Sequence, residues 1–488
     1  MQYLINNRVF IVDYCFNLQI IMKRSWLFIF GLLSLVFLSS LLIQCRKDVI
    51  LTDPSAKLDF SNDTIIFDTV FTTVGSTTKR LKFYNNNKAT VNISSIHLAG
   101  GSSSPFRLNV DGISGIEHSD IEIDAGDSLF AFVEVTLDPN NGTLPLIIED
   151  SLIFMTNGNE QKVKLVVWGQ DAYFHANELV EGTWPNDKPH VVYGLCAVGF
   201  PGVDSSKTLN IQAGTQIHLH NNSQFYVYKS TLNVNGSEGN EVIFQGDRLE
   251  PYYQDIAGQW AGIYFNQSEN SLIDHAIIKN GTYGVWADTF GIAPISLSVS
   301  HTEIYDMSFG GIISRGSKLD ISNTLARDCG SYCSALFYGG EYNFTNCTFA
   351  NYWTEGDRST PSFVLNNWYE YNSSNIVRDF TGNFTNCIFD GNKPHEFAID
   401  TVAGGLNNIS FNFCIIKSDE TSTPSGSFYN SIYKNQAPGY NDATNGDFSL
   451  YSSSYAVDKG TTVGLSDDID GNPRPSGLTS DVGAYEHQ

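Results

Sequence analysis

Phe344-Thr345-Asn346-Cys347-Thr348-Phe349 returns as Phe384-Thr385-Asn386-Cys387-Ile388-Phe389 and again as Phe411-Asn412-Phe413-Cys414-Ile415-Ile416. Toward the N-terminus the same frame fits Ile321-Ser322-Asn323-Thr324, Val299-Ser300-His301-Thr302-Glu303-Ile304 and Ile273-Asp274-His275-Ala276-Ile277-Ile278. Each copy carries one small residue at a fixed place: Ala276, Thr302, Thr324, Cys347, Cys387 and Cys414, with steps of 26, 22, 23, 40 and 27. An earlier pair, Thr208-Leu209-Asn210-Ile211 and Thr231-Leu232-Asn233-Val234, is offset by 23 and runs each time into a Gly turn. Short strands repeating at this period, with no helical period, mark a β-solenoid, whose coils pair edge to edge at about 4.8 Å. Ile, Val and Phe then stack inside, and the small column fits where the interior narrows. Cys347, Cys387 and Cys414 read as buried packing residues rather than disulfide partners. Cys329 and Cys333 stay open between a bridge and simple burial. No C-x-x-C pair occurs, so no metal site is expected. Asn323, Asn346 and Asn386 read as a ladder of stacked amides, which His275 and His301 continue rather than acting as ligands.

Leu209-Asn210-Ile211-Gln212-Ala213-Gly214-Thr215, Gly258-Gln259-Trp260-Ala261-Gly262-Ile263 and the Asn-Cys repeats resemble the right-handed parallel β-helix proteins of the pectate-lyase-like superfamily. The resemblance covers Val191 to Ser418 and implies a right-handed parallel β-helix. It implies no single activity, because this fold hosts lyases, hydrolases, adhesins and fibres.

Four segments follow. Residues 1–44 form a leader and lipoprotein signal peptide, with Met22 read as the functional start. Met22-Lys23-Arg24 is basic, an apolar run extends from Trp26 to Ile43, and Leu42-Ile43-Gln44-Cys45 resembles the bacterial lipobox. That resemblance implies cleavage before Cys45 and lipidation of Cys45, hence a lipid-anchored protein of the bacterial cell envelope at the outer membrane. Residues 51–172 alternate in short strands such as Ser128-Leu129-Phe130-Ala131-Phe132-Val133-Glu134-Val135, split by turns such as Asn85-Asn86-Asn87. Six to eight such strands read as a β-sandwich, similar in pattern to the immunoglobulin-like domains of bacterial surface proteins. Residues 190–418 form the β-helix. In residues 419–488, Asp468-Ile469-Asp470-Gly471-Asn472-Pro473-Arg474 and Asp481-Val482-Gly483-Ala484-Tyr485-Glu486 mark a C-terminal capping segment, needed because a solenoid end exposes an unpaired edge. The whole is all-β.

The 488 residues hold 28 Lys and Arg against 52 Asp and Glu, a net charge of −24. Phosphate binding needs a basic face, so this acidic balance argues against nucleic acid as a partner. An acidic polysaccharide would be repelled unless a cation intervened. Asp467, Asp468 and Asp470 could hold Ca²⁺, but their spacing is not that of a full calcium loop, so a solvated turn is the preferred reading and no cofactor is assigned. A lyase of this fold needs a Lys or Arg base. Lys279, Arg315, Lys318 and Arg327 are present, none distinguished from an ordinary surface cation. A hydrolase would need clustered aspartates, and in the sequence Asp328 stands alone. The 40-residue step holds about 15–18 residues beyond one coil. It carries Tyr352, Trp353, Trp368, Tyr369 and Tyr371, aromatic faces of the kind that stack on sugar rings. Trp353, Trp368, Tyr369 and Tyr371 are therefore the candidate ligand-binding residues, and polysaccharide the candidate ligand beside the membrane anchor. Catalytic residues are not assigned. Non-catalytic binding of glycans or other surface ligands is the first expectation, a polysaccharide lyase or related carbohydrate-active enzyme the second, a structural spacer the third.

Overall fold

The computed structural model describes residues 49–488 apart from 73–74, 139–145, 290–295 and 420–427. The leader and the lipidation site Cys45 lie outside the described residues. Among the described residues no helix is long and apolar enough to cross a membrane.

Two five-stranded sheets come first. One orders Asp59–Phe60, Lys79–Tyr84, Ser128–Val135, Phe106–Val110 and Ile113–Gly115; the other orders Thr64–Phe71, Asn159–Gln170, Leu146–Thr156, Val91–Leu98 and Glu117–Ile123. Phe154 of the second sheet packs against Phe60 and Phe83 of the first, with ring centroids 4.8 and 5.1 Å apart, so the two form a sandwich. These ten strands exceed the six to eight read from alternation. Asp59–Phe60 and Ile113–Gly115, of two and three residues, are too short to leave a period.

From Tyr173 to Lys434 the described residues build one ladder of 25 parallel strands. It reaches beyond the 190–418 of the repeats at both ends. The first strand, Tyr173–Leu179, has an irregular register between Ala176 and Glu178, and the last two, Tyr429–Asn430 and Tyr433–Lys434, are too short to show a pattern. The small column is a physical line. Ala276 pairs with Thr302 and Thr302 with Thr324. Pairs on either side of Cys347, Cys387 and Cys414 then carry the same register onward: Ser322 with Thr345, Thr345 with Thr385 and Thr385 with Asn412 before them, and Leu325 with Thr348, Thr348 with Ile388 and Ile388 with Ile415 after them. All six members are buried. The six described body cysteines, Cys329 and Cys333 among them, are free and buried. Thiols of Cys347, Cys387 and Cys414 donate to the carbonyls of Ile321, Phe344 and Phe384 on the preceding coils. Beside them Phe344 meets Phe384 edge-on at 5.3 Å, and Phe384 stacks on Phe411 at 4.6 Å.

The residue before each small one turns the corner. His275, His301, Asn323, Asn346, Asn386 and Phe413 all have φ between 43° and 54°, a left-handed conformation that Asn tolerates best. Asn386 Nδ2 donates to Asn346 Oδ1 at 3.2 Å, one rung of the expected ladder.

Beyond Tyr433–Lys434, which still pairs onto the last repeat, the C-terminal segment lies along the side of the coils. Asn386 exchanges two hydrogen bonds with Thr461, Asn346 donates to the Asp481 carbonyl, and Asn323 donates to the Asp467 carbonyl. Leu325, Ala350, Ile388 and Ile415 form an apolar stripe on successive coils, which Phe448, Ile469, Val482, Ala484 and Tyr485 cover. That stripe is the physical reason for the placement. The motif acids hold the segment's own backbone. Asp468 accepts from Asp470 N, Asn472 N and Glu486 N, and buried Arg474 pairs with Glu486 at 3.1 Å. Asp468 and Asp467 therefore serve different partners, Asp467 lying against His301 at 3.2 Å.

Candidate functional site

Four residues after each member of the small column stands Asn280, Asp306, Asp328, Asn351, Gly391 and Ser418 in turn. The first three share a left-handed φ of 64°, 52° and 49°. Met307 and Cys329 bridge in parallel, which puts Asp306 and Asp328 at one corner on neighbouring coils, about 4.8 Å apart along the axis. Two carboxylates thus replace the amides used on either side of them.

Around this corner opens a cleft of about 550 Å³, lined by Asp255, Asp306, Arg327, Asp328, Tyr352, Trp353, Thr354, Glu355, Asn392 and the turn 443–446. Arg327 is the single cation among its lining residues. Its Nη1 donates to Asp328 Oδ2 at 2.7 Å, and its guanidinium lies 3.9 Å over the Tyr305 ring. Gly446 closes over it with φ +83°; a Cβ there would be strained and would come 3.2 Å from the guanidinium. Burial pushes the Asp306 carboxyl up to about 7, with Asp328, Asp255 and Glu355 adding to the rise and Arg327 opposing it. Burial raises Asp328 too, against the Arg327 guanidinium and the Tyr352 N–H that favour its charge. Burial also raises Glu355. The corner therefore holds one carboxyl able to keep its proton near neutrality beside one held in an ion pair, the division of roles that acid–base chemistry requires.

A second cleft of about 580 Å³ shares Tyr352 and Ala443 with the first and adds Asp390, Lys417, Tyr440 and Tyr451. Tyr352 spans the junction. Its N–H donates to Asp328 and its hydroxyl donates to Asp390 at 2.8 Å. Ala350 pairs with both Arg327 and Asp390 in the ladder, so the clefts follow one corner of the coils along the axis.

The four aromatic candidates separate. Trp353 lines the first cleft, its N–H donating to Asn351 Oδ1 and its carbonyl accepting from Asn392. Trp368, Tyr369 and Tyr371 lie instead on a hairpin in which Trp368–Tyr371 pairs antiparallel with Ser374–Val377. They line neither cleft. The reason is that the insertion is two insertions. Between them runs Phe363–Asn366, an ordinary strand that pairs with Ser334, Ala335 and Leu336 of the coil before. On the hairpin Tyr371 is 58 % exposed, and Tyr369 packs edge-on against Tyr338 at 4.4 Å. The other cations singled out by type are engaged: Arg315 with Asp288, Lys318 with Glu341, and Lys279 near the Tyr305 ring. Trp260 is buried, its indole N–H donating to the Lys279 carbonyl, a structural role. Asp328, alone in the sequence, is in the fold one of four clustered carboxylates.

No curated protein matches the chain. Among solved structures it is similar to a family 123 glycoside hydrolase from Clostridium perfringens that hydrolyses glycolipid glycans, at 11 % identity and TM-score 0.17, over 23 % of this chain and 25 % of that one. The chain thus spans a quarter of that enzyme's length. It is also similar to a PapD-like domain of human CEP192, at 14 % identity and TM-score 0.17, over 26 % of this chain and 94 % of that domain. The catalytic unit of a GH87 α-1,3-glucanase from Streptomyces thermodiastaticus matches at 8 % identity and TM-score 0.23, over 72 % of this chain and 87 % of that one. Residues 261–448, which include Asp306, Asp328, Trp353 and the turn 443–446, match the family model of the right-handed β-helix region.

Proposed function

We propose that this chain is a cell-envelope lipoprotein, anchored through Cys45, whose β-helix binds a neutral glycan along the corner marked by Asp306, Asp328 and Trp353. The observation that carries the reading is the placement of Trp353 on the wall of a cleft rich in carboxylates. An aromatic face with convergent hydrogen-bonding groups is what a sugar ring needs. Four carboxylates against one paired arginine repel a uronate, which weighs against a polyuronate lyase. Two adjoining clefts along successive coils suit a linear chain of sugars. In a glycan array, the soluble chain is expected to retain neutral oligosaccharides in preference to acidic ones. Trp353→Ala should weaken retention about tenfold, the worth of one ring-stacking contact with its buried area. A preference for polyuronates, or unchanged affinity in Trp353→Ala, would contradict the reading.

A second reading, glycoside hydrolysis, is favoured by the Asp306 carboxyl at about 7. There Asp306 would protonate the leaving oxygen and Asp328 would act as base or nucleophile. Asp306→Asn separates the two readings. Reducing-end release should vanish if the corner is catalytic, while binding persists in either case. The variant also carries a stability signature. A folded-state pKa raised from 3.8 favours the protonated form, so Asp306 costs nothing below about pH 4 and progressively more as pH rises through about 7. Thermal melts should therefore show Asp306→Asn more stable than wild type by on the order of 2–4 kcal/mol at pH 8, and no different at pH 4. Equal stability at both pH values would remove the raised carboxyl from the account.

A further inference from the structure

Where the corner ladder uses His in place of Asn, it has the donors of a metal site. Asp274 Oδ1 lies 3.0 Å from His275 Nδ1 and 3.1 Å from His301 Nδ1. One donor atom from each of the three residues falls within 4.8 Å of the others. The imidazole rings stack with centroids 4.3 Å apart, because they occupy the same left-handed corner on consecutive coils. His275 Nδ1 is buried and makes no hydrogen bond, although the Asp274 carboxylate is close. The outer contacts are those that orient ligands. His301 Nε2 is 3.2 Å from Asp467 Oδ1 on the C-terminal segment and 3.1 Å from Asn323 Nδ2, and the Ser300 hydroxyl donates to Asp274 Oδ1 at 2.7 Å. A carboxylate behind a ligating imidazole and a hydroxyl behind a ligating carboxylate orient the inner donors.

We propose that Asp274, His275 and His301 bind a divalent transition-metal ion of the zinc class, with Asp467 positioning His301. Two imidazole nitrogens and one carboxylate oxygen suit such an ion, whereas Ca²⁺ and Mg²⁺ need sets of oxygens. Three protein ligands leave a place for water, and the side chains are 19, 16 and 32 % exposed for His275, His301 and Asp274, enough for entry. The competing account is a purely structural rung in which His301 alone bonds Asp274. It leaves His275 Nδ1 without a bond. The inference does not depend on the glycan reading, and either can fail alone.

The test uses the untagged full chain in detergent, stripped with a chelator and titrated with Zn²⁺ by calorimetry. The fold itself supplies safe variants: Asn holds the same corner with the same φ at 323, 346 and 386, so His275→Asn and His301→Asn keep the ladder. Wild type is expected to bind one ion, and the double variant, left with one of three ligands, to show no stoichiometric binding while melting at the same temperature without metal. Asp467→Asn should lose about tenfold in affinity. Co²⁺ added to wild type should give the ligand-field absorption of a low-symmetry nitrogen–oxygen site, a readout independent of any variant. No stoichiometric Zn²⁺ binding by wild type, affinity unchanged in the double variant, or a Co²⁺ spectrum like that of the hydrated ion would each overturn the proposal.

Discussion

Glu396→Ala is expected to cost about 3–5 kcal/mol in urea unfolding and to abolish ligand binding at Trp353 at the same time. Glu396 is fully buried, as is Arg358, which reaches it through two nitrogens at 2.6 and 2.7 Å. The carboxylate also accepts from Ser362 N and Lys393 N at 2.8 and 2.7 Å. Arg358 in turn holds the carbonyls of Asn351 and Thr360 and the side chain of Asn392. This knot ties down the loop 352–362, which carries Trp353 and Glu355 to the cleft. Removing the carboxylate leaves a guanidinium in a dry site without a counter-charge, where the penalty is largest. Replacing both partners, as in Arg358→Met with Glu396→Leu, should recover much of the stability but not the binding, since the loop loses its ties. A loss under 1 kcal/mol for Glu396→Ala would mean the loop is held by something else.

Phe384→Ala is expected to cost a similar amount, about 3–5 kcal/mol, and to do so unevenly along the chain. Its ring lies between Phe344 and Phe411 on adjacent coils and meets Phe363 at 5.4 Å. In a solenoid each coil contacts only its neighbours, so a cavity on one coil weakens the junction between the two sides. Coils after Phe384 should exchange amide hydrogens faster in the variant, with those before Asn266 unaffected. Uniform loss of protection over the whole β-helix would show that it unfolds as one unit.

How much of this was legible follows from what stacks. The column from Ala276 to Cys414 could be read because each coil repeats its own inward residues, and repetition survives in one dimension. Cysteine packing and the corner amides followed from the same column. The cleft could not be read in that way. Asp306 and Asp328 look ordinary one at a time, and they gain meaning only as adjacent rungs, each four residues beyond a small residue. Counting forward from Thr302 and Thr324 exposes them, as it exposes Asn280 and Asn351 around them. Asp255, Glu355 and the turn 443–446 come from three further segments and carry no period. The aromatic insertion was visible, but its division was not. Phe363–Asn366 looks like part of an irregular stretch until it pairs with Tyr332–Phe337, which parts Trp353 from Trp368, Tyr369 and Tyr371.

Hydrogen–deuterium exchange of the full chain with and without a saturating neutral oligosaccharide tests the central claim most directly. Binding at the Asp306–Trp353 corner predicts slowed exchange in 352–357 and 443–446, with the hairpin 368–377 unchanged. Protection confined to 368–377, or none in either region under saturation, would contradict it.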